Sequence, residues 1–285
     1  MSPALRRSVL YLPASNPRAL AKARELPADG LIFDLEDAVA PEAKPQAREQ
    51  LREALAAGGY PGERVVRVNG ADTPWGSEDL RLAAGLAIDA VALPKVEHPY
   101  QIGAAAATLE DAGADRLDLW ALLETPRGVL NAQAIAHAHP RLRVLVMGTQ
   151  DLSRAARIPP SPGRLGLLPA LGLCVLAARA AGLDILDGVH PALDDPAGLV
   201  RSCEQARTLG FDGKTLIHPK QIETANRVFG PDPEQLDRAR RLVAAWDDSR
   251  GVAVVDGQMV ERLHVDEARR RLELAALIEA RQDRT

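Results

Sequence analysis

The sequence contains few aromatic residues and few cysteines. Phe, Trp and Tyr make up 3% of the 285 residues, so the core must consist mainly of Ala, Leu and Val. The two cysteines, Cys174 and Cys203, lie in apolar or helical surroundings and lack the spacing of metal ligands. We expect both to be small core residues in a reducing compartment, which excludes a fold held together by disulfides.

Long apolar runs and a large net charge are also missing. No apolar run approaches the ~18–20 residues that a membrane-spanning helix requires. The apolar run near the N-terminus ends at Pro13, too early for a signal peptide. The net charge of −4 excludes a general surface for nucleic acid or anionic membranes. We therefore expect a soluble, cytoplasmic protein that binds neither nucleic acid nor membrane.

Several motifs of common enzyme classes are absent as well. The sequence has no P-loop, no GxGxxG, no HExxH and no Ser/His/Asp order with a nucleophile elbow. The candidate functional residues are instead charged side chains that follow short apolar segments.

These apolar segments alternate with helical patterns eight times along the chain. The predicted strands are 8–12, 31–33, 65–69, 90–93, 117–123, 144–147, 185–189 and 211–217. Alternation of strand and helix favours a parallel sheet, and eight repeats without a long break favour closure. The sequence therefore predicts an α/β fold, a (β/α)8 TIM barrel, whose functional residues lie at the carboxyl ends of the strands.

The pattern changes after Gly230. A charged helix is predicted over 233–248, a hairpin over 251–259 and a second charged helix over 264–281. This tail cannot complete a barrel that is already closed. We predict a barrel domain over 1–230 and a C-terminal helical extension over 231–285, which packs outside or reaches a neighbouring subunit as a lid or oligomerisation element.

Two acids, Glu124 and Asp151, follow the fifth and sixth predicted strands. Because the carboxyl ends of parallel strands meet at one edge, both carboxylates should converge there. Such a pair suits a hard divalent cation such as Mg2+. The alternative is that each acid caps the next helix, since Thr125-Pro126 and the segment beginning at Asp151 are both typical helix starts.

Arg67 lies within the third predicted strand, between valines. A buried, unpaired guanidinium is costly, so Arg67 must face acids or an anionic ligand, and a small carboxylate substrate is a natural partner. The acids Asp34, Glu36 and Asp37 follow the neighbouring strand. This cluster could bind a metal directly, but we expect it instead to orient the metal's ligands or waters through hydrogen bonds.

Other charged residues at strand ends have two interpretations. Lys95, Asp187 and Lys214 are expected to form ion pairs at the barrel mouth, although either lysine could also serve a Schiff-base enzyme. His218 precedes Pro219 and either caps the following helix or faces the site.

Eight motifs carry a family resemblance. In order they are RSVLYLP, GLIFDLEDAVAPEAK, VRVNG, LPKVE, LLETPRG, GTQDL, FDGKTLIHPKQI and GQMVE. From about Arg7 to Ala276 the chain resembles the citrate lyase β-subunit-like family of the HpcH/HpaI aldolase superfamily, which includes malyl-CoA and citramalyl-CoA lyases. The resemblance implies a TIM barrel with a C-terminal extension that forms a homo-oligomer, a trimer or hexamer.

The resemblance also implies the activity and the site. It implies Mg2+, with Mn2+ as the alternative cation. The reaction is reversible carbon–carbon cleavage of a 3-hydroxyacyl-CoA thioester such as malyl-, citramalyl- or citryl-CoA, with a small keto acid as the other partner. By position, Glu124 and Asp151 match the metal ligands and Arg67 the arginine that binds the substrate carboxylate. The positions that match contacts to CoA or substrate are Tyr11, Arg18, Lys22, Ile217 and His218.

Two residues depart from the family pattern. Glu261 stands where members that act on CoA usually have Asp, on the tail that closes over an adjacent subunit's site, where it would transfer a proton. Ala14 stands where Gly is usual, and its methyl group hinders close approach of a ligand to the backbone. The alternatives are a CoA-independent aldolase for a free hydroxy keto acid, or a carrier-binding subunit that is inactive outside a lyase complex.

Overall fold

Eight parallel strands close into a barrel in the computed structural model, which describes residues 4–246 and 251–282. The strands are β1 (Ser8–Pro13), β2 (Gly30–Asp34), β3 (Glu63–Arg67), β4 (Ala90–Leu93), β5 (Asp118–Leu123), β6 (Leu142–Met147), β7 (Asp184–Asp187) and β8 (Gly213–Leu216). Each strand pairs with the next, and β8 pairs with β1. The predicted (β/α)8 barrel is confirmed.

Helices connect the strands and follow the last one. They are α1 (Pro17–Lys22), α2 (Lys44–Ala57), α3 (Gly76–Ala84), α4 (Pro99–Asp111), α5 (Pro126–Leu130), α6 (Ala132–Ala136), α7 (Thr149–Ala155), α8 (Leu168–Ala180), α9 (Pro196–Leu209) and α10 (Ile222–Phe229). The helical segment after β5 is divided into α5 and α6. The division falls at Asn131, whose side chain donates a hydrogen bond to the carbonyl of Glu97 at 2.7 Å.

Small and branched apolar residues fill the barrel. The interior cluster is Val9, Ile32, Val65, Ala90, Ala92, Trp120, Leu122, Val144, Val146 and Leu186. Trp120 is its only aromatic member, as the low aromatic content predicts. Cys174 and Cys203 are buried, and burial raises the pKa of the Cys174 thiol to about 12, so it packs as a small apolar group.

Arg6 closes the amino-terminal end of the barrel. Its guanidinium bonds Glu63, the first residue of β3, at 2.7 and 2.8 Å and also pairs with Asp184, the first residue of β7. The guanidinium carbon lies 5.5 Å from the ring centroid of Trp120. This end is therefore occupied by a packed ionic cluster, and the opposite end, where the strands terminate, is left for a site.

The segment 162–180 corrects the expectation that no apolar run approaches the length of a membrane-spanning helix. Its length and hydropathy of 1.4 are sufficient for a membrane-crossing helix, although a third of it is buried. The segment is a 3-10 turn, with left-handed backbone at Gly163 and Arg164, followed by α8. α8 alone is ~20 Å long, shorter than a bilayer core. It packs against β6 and β7 through side chains such as Leu171, Cys174 and Ala178.

Contacts divide the chain into two compact units. One is Arg6–Asn226, and the other is Arg227–Thr285 together with Met1–Leu5. The second unit contains α11 (Pro233–Ala245), a hairpin of β9 (Val252–Val255) and β10 (Gln258–Glu261), and α12 (Arg262–Gln282). Its core is Ala239, Leu242, Val260, Val265 and Ala268. Residues 247–248 of the predicted helix lie outside the described residues. The role of this extension as a lid or oligomerisation element stays a prediction.

Candidate functional site

Arg67 ends β3 and is paired with acids. Its Nε and Nη2 donate to the two carboxylate oxygens of Asp34 at 2.7 and 2.6 Å, because Asp34 ends β2 in register with Arg67. Its Nη1 lies 3.0 Å from Oε2 of Glu36. Burial acts to lower the pKa of Arg67, but Asp34, Tyr11 and Glu36 outweigh it and raise the pKa well above its usual value. Of the two partners expected for Arg67, acids or an anionic ligand, the acids are confirmed, and binding of a substrate carboxylate stays a prediction.

Glu36 is held in place through its backbone and its side chain. Its N–H donates to Asp34 at 2.9 Å, and its carbonyl accepts from the buried Nζ of Lys44 at 2.9 Å. Oε1 accepts from Nζ of Lys95, whereas Oε2 is buried and has only the ion-pair contact with Arg67. Burial raises the pKa of Glu36, and Arg67 and Lys95 oppose the shift. Asp34 and Glu36 therefore orient Arg67 and Lys95. The role of this acid cluster around a metal stays a prediction.

Glu124 follows β5 and is 3% exposed. Its Oε1 accepts the backbone N–H of Lys95 at 2.7 Å. Burial raises the pKa of Glu124 to about 7, the charge of Glu36 adds to the shift, and Arg67 opposes it. The capping alternative is wrong for Glu124, because Thr125 is the cap and its Oγ1 accepts the N–H of Gly128 at 3.1 Å.

Asp151 lies in the first turn of α7, three residues after Gly148. Gly148 is the residue before the helix, so the capping alternative is also wrong for Asp151. One Asp151 oxygen accepts from the exposed Arg154 at 2.7 Å. Gly148 allows Glu124 to approach α7, because a Cβ at this position would overlap Cβ and Oε2 of Glu124. Glu124 therefore lies next to the start of α7, the helix that carries Asp151.

The carboxylate oxygens of Glu124 and Asp151 are of the type that a hard cation with two protein ligands requires. Among the described residues no donor bonds Oε2 of Glu124, and no group of three or more His, Cys, Asp or Glu side chains could hold a metal. Mg2+ binds oxygen, retains several waters and is commonly held by one or two carboxylates. A buried carboxylate with a raised pKa is stabilised by an added cation. The assignment of Glu124 and Asp151 as metal ligands stays a prediction.

The predicted ion pairs of the remaining strand-end residues are confirmed. Asp187 accepts from Lys214 at 2.5 Å and from Arg164 at 2.8 Å, and both Asp187 and Lys214 are fully buried. Burial alone would raise the pKa of Asp187, but Lys214 and Arg164 lower it. Lys214 is inaccessible. Burial acts to lower the pKa of Lys95, but the acids around Lys95 outweigh it and raise that pKa. Lys95 therefore lacks the lowered pKa of a Schiff-base nucleophile. Lys214 is held in its buried ion pair with Asp187.

Tyr11, Arg18 and Lys22 lie on or just after β1. The Tyr11 ring centroid is 4.8 Å from the guanidinium carbon of Arg67, and burial raises the pKa of the phenol. Arg18 and Lys22 are exposed on α1 and form no ion pair within the described part of the chain. Ala14 is fully buried, and its N–H already donates to the carbonyl of Asp34 at 3.0 Å.

Ile217 and His218 follow β8. Ile217 is 41% exposed and presents an apolar surface. Nδ1 of His218 accepts the N–H of Lys220 at 3.1 Å, so His218 caps the next turn as one interpretation predicts. Contact of either residue with a substrate stays a prediction.

Glu261 belongs to the second unit. It ends β10, it is exposed, and its N–H donates to Nδ1 of His264 at 3.0 Å. Its role in proton transfer at a neighbouring subunit's site stays a prediction.

The sequence did not indicate three contacts that support the site. Lys95 has left-handed backbone, with φ of 49°, and this aims its N–H at Glu124. Gly148 provides the space beside Glu124, and Lys44 bonds the carbonyls of Leu35 and Glu36. All three positions lie in motifs of the sequence, Lys44 in GLIFDLEDAVAPEAK, Lys95 in LPKVE and Gly148 in GTQDL, but no motif shows by itself which contact its residue makes.

A closed parallel barrel with buried acids and an arginine at the strand ends has the architecture of a TIM-barrel enzyme. The sequence profile of the family described as HpcH/HpaI aldolase/citrate lyase matches residues 7–219, and this chain belongs to that family. The resemblance inferred from the eight motifs is therefore confirmed.

Relatives and solved structures agree with this assignment. The chain is 50% identical over 279 residues, 96% of each chain, to a (3S)-malyl-CoA thioesterase of Cereibacter sphaeroides strain KD131. It is 35% identical to the citrate lyase subunit beta of Escherichia coli K12, over 98% of this chain and 96% of that one. The crystal structure of CitE from Mycobacterium tuberculosis with magnesium, acetoacetate and coenzyme A superposes with a TM-score of 0.77 at 34% identity, covering 94% of this chain and 97% of that one.

Proposed function

We propose that this protein is a Mg2+-dependent carbon–carbon lyase. Its substrate would be a 3-hydroxyacyl-CoA thioester of a dicarboxylic type, such as malyl-, citramalyl- or citryl-CoA. The reaction would release, or in reverse use, a small keto acid. The main support is the position of Glu124, a buried carboxylate at the barrel mouth that shares its electrostatic environment with Arg67 and Glu36.

Glu124 and Asp151 would hold the cation. When bound, Mg2+ supplies a Lewis acid that polarises the oxygen of the keto or hydroxy acid and offsets its charge. The solved CitE structures with magnesium contain acetoacetate and coenzyme A in one case and pyruvate in another, which supports this class of ligand. Mn2+ prefers the same oxygen ligands and is the alternative cation.

Arg67 would bind the carboxylate of the keto acid. Its double hydrogen bond to Asp34 fixes the plane of the guanidinium, so little conformational entropy remains to be lost on binding. A fixed positive charge in a buried site stabilises negative charge that develops as the carbon–carbon bond breaks.

The other predicted contacts serve the CoA half and the substrate. Arg18 and Lys22 are exposed cations one helical turn apart, an arrangement that suits phosphate groups. Tyr11, Ile217 and His218 would line the substrate, with Ile217 offering an exposed apolar surface.

Cleavage moves one proton from oxygen to carbon. The hydroxyl group loses its proton and becomes the keto group, the bond to the carbon next to the thioester breaks, and that carbon gains a proton. Glu261 of a neighbouring subunit would transfer this proton in a homo-oligomer, a trimer or hexamer. Both cysteines are buried and neither is in a disulfide, which suits the reducing cytoplasm that we propose as the location.

Thioester hydrolysis is a second candidate function. The observation that favours it is the 50% identity to a relative named (3S)-malyl-CoA thioesterase. Hydrolysis would release the hydroxy acid and free CoA, whereas the lyase reaction releases a keto acid and a shorter acyl-CoA. The 35% identity to a citrate lyase beta subunit supports a further alternative, a carrier-binding subunit of a lyase complex. A CoA-independent aldolase is the other alternative.

A product analysis separates these functions. Malyl-, citramalyl- and citryl-CoA would each be incubated with the full-length protein and Mg2+ or Mn2+. Keto acid would be measured as its hydrazone and CoA thiol by a colorimetric reagent. We expect keto acid without stoichiometric thiol. Thiol without keto acid would identify a thioesterase, and turnover of free hydroxy keto acids alone would identify the CoA-independent aldolase. Activity only after addition of a carrier protein would favour the subunit of a complex.

A further inference from the structure

Lys95 has an unusual backbone conformation. Its φ of 49° lies in the left-handed region, which residues with a long side chain seldom adopt. The loop is held there from both sides, since the N–H of Lys95 donates to Glu124 at 2.7 Å and the N–H of Val96 donates to the carbonyl of Leu122 at 3.1 Å. Strained backbone that persists because its surroundings fix it is frequent at functional sites.

The side chain of Lys95 contacts a different acid from its backbone. Nζ pairs with Oε1 of Glu36 and lies 3.8 Å from the exposed Asp37. Lys95 therefore gives its uncharged N–H to Glu124 and its positive charge to Glu36. Two carboxylates in one mouth are in this way made electrostatically different by a single residue.

The charges of the mouth separate into compensated and uncompensated groups. Asp34 is compensated by the double hydrogen bond from Arg67, and Glu36 by the ion pair with Lys95. The direct contact that Lys95 makes with Glu124 is a neutral N–H, and among the described residues no cationic group forms an ion pair with Glu124. Asp151 has an exposed partner, and exposed ion pairs of this kind contribute little. The exposed Asp37 is screened by water and is left out of this balance. Glu124 and Asp151 then carry two negative charges without a buried ion-pair partner among the described residues, which equals the charge of a divalent cation.

Resting on the proposed function, we propose that Lys95 is a positioning residue that assigns the acids of the mouth to separate tasks. Its ammonium group withdraws Glu36 from the cation. Its N–H fixes Oε1 of Glu124 and leaves Oε2 for the cation. The cation-loaded mouth then has no excess negative charge and accepts the carboxylate of a keto acid.

This assignment predicts opposite effects on two ligands when the ammonium group is removed. Glu36 would then share Arg67 with Asp34, and the mouth would carry one more negative charge, so the cation would bind more tightly and the keto acid more weakly. For one charge within several ångströms of the site, each change should be roughly fivefold to tenfold. Loss of a purely structural contact would instead weaken both ligands together.

Glycine is the informative replacement at position 95, because it adopts the left-handed conformation freely and retains the N–H. Lys95→Gly therefore removes only the charged side chain. Lys95→Arg is the matched control that retains a cation. The double variant Lys95→Gly with Glu36→Gln removes both charges and should return both affinities close to those of the wild type.

The test is calorimetric titration of each full-length, metal-free protein at pH 8. Mn2+ would be titrated first, and pyruvate would then be titrated into the Mn2+-saturated protein, with thermal melting as a check of folding. The expected result is tighter Mn2+ and weaker pyruvate binding for Lys95→Gly, wild-type values for Lys95→Arg, and recovery in the double variant. Weaker binding of both ligands by a folded Lys95→Gly, or unchanged binding, would overturn the proposal.

These outcomes are distinguishable from failure of the proposed function. A wild-type protein that binds Mn2+ and pyruvate but cleaves no CoA thioester would refute the lyase activity and leave the role of Lys95 to be decided by the titrations. A wild-type protein that binds neither Mn2+ nor Mg2+ would overturn both proposals.

Discussion

Arg67 and Asp34 form a double hydrogen bond between the last residues of two adjacent strands, with donor–acceptor distances of 2.7 and 2.6 Å. Both side chains are buried, so water cannot take the place of either partner in solvating the other's charge. The pair gives Arg67 a fixed orientation at the mouth of the barrel and connects the stability of the fold to the geometry of the site.

Asp34→Asn should destabilise the protein and misplace Arg67. Removal of one partner leaves a buried guanidinium without its main counter-charge, which costs about 3–5 kcal/mol. Urea unfolding measures this loss. Asp37→Asn is the matched control, because Asp37 is exposed and should change stability by less than about 0.5 kcal/mol. Equal stabilities of the two variants would contradict the importance of the Arg67–Asp34 pair.

Gly148→Ala should weaken cation binding. The added methyl group would overlap Glu124, which must then move away from the start of α7. A loss of at least tenfold in Mn2+ affinity corresponds to about 1.4 kcal/mol. Gly172→Ala in α8 serves as the control, since nothing lies within 4 Å of its added Cβ, and alanine favours a helix interior. An unchanged Mn2+ affinity of Gly148→Ala would show that Glu124 does not need this space.

Asp187 should make stability depend on pH in the acid range. Its folded pKa is lowered by Lys214 and Arg164 below the unfolded value, which is about 4. The ionised group therefore contributes stability above the unfolded pKa, and this contribution is lost as the pH falls through the folded pKa. Urea midpoints of the wild type and Asp187→Asn from pH 7 to pH 3 should differ most above pH 5 and converge in acid. A constant difference would contradict this origin of stability.

The barrel could be predicted from the sequence because its signals are local. Short apolar strands, intervening helical patterns and their number are visible along the chain, and the polar residues at strand ends followed from them. The position of Arg67 between valines is also a local signal, because a guanidinium buried there needs acids or an anionic ligand. Element bounds moved by only a few residues, as with β3, which begins at Glu63 and ends at Arg67.

The partners of the site residues could not be predicted in the same way. Pairing of Arg67 with Asp34 depends on the register of β2 against β3, which no local pattern specifies. The left-handed backbone of Lys95 arises from contacts of the folded mouth, since lysine does not favour it. The close approach of Glu124 to Gly148 is a contact between the loops that follow β5 and β6, and such a contact is not visible in the sequence of either loop.

The most direct measurement is the titration of Mn2+ and Mg2+ into metal-free wild type and Glu124→Gln at pH 8. Glutamine keeps the shape of the side chain, can still accept the N–H of Lys95, and removes the negative charge. We expect one cation site per subunit in the wild type and a loss of at least a hundredfold in affinity in the variant, with wild-type thermal stability retained. Equal affinities in the two proteins would contradict it.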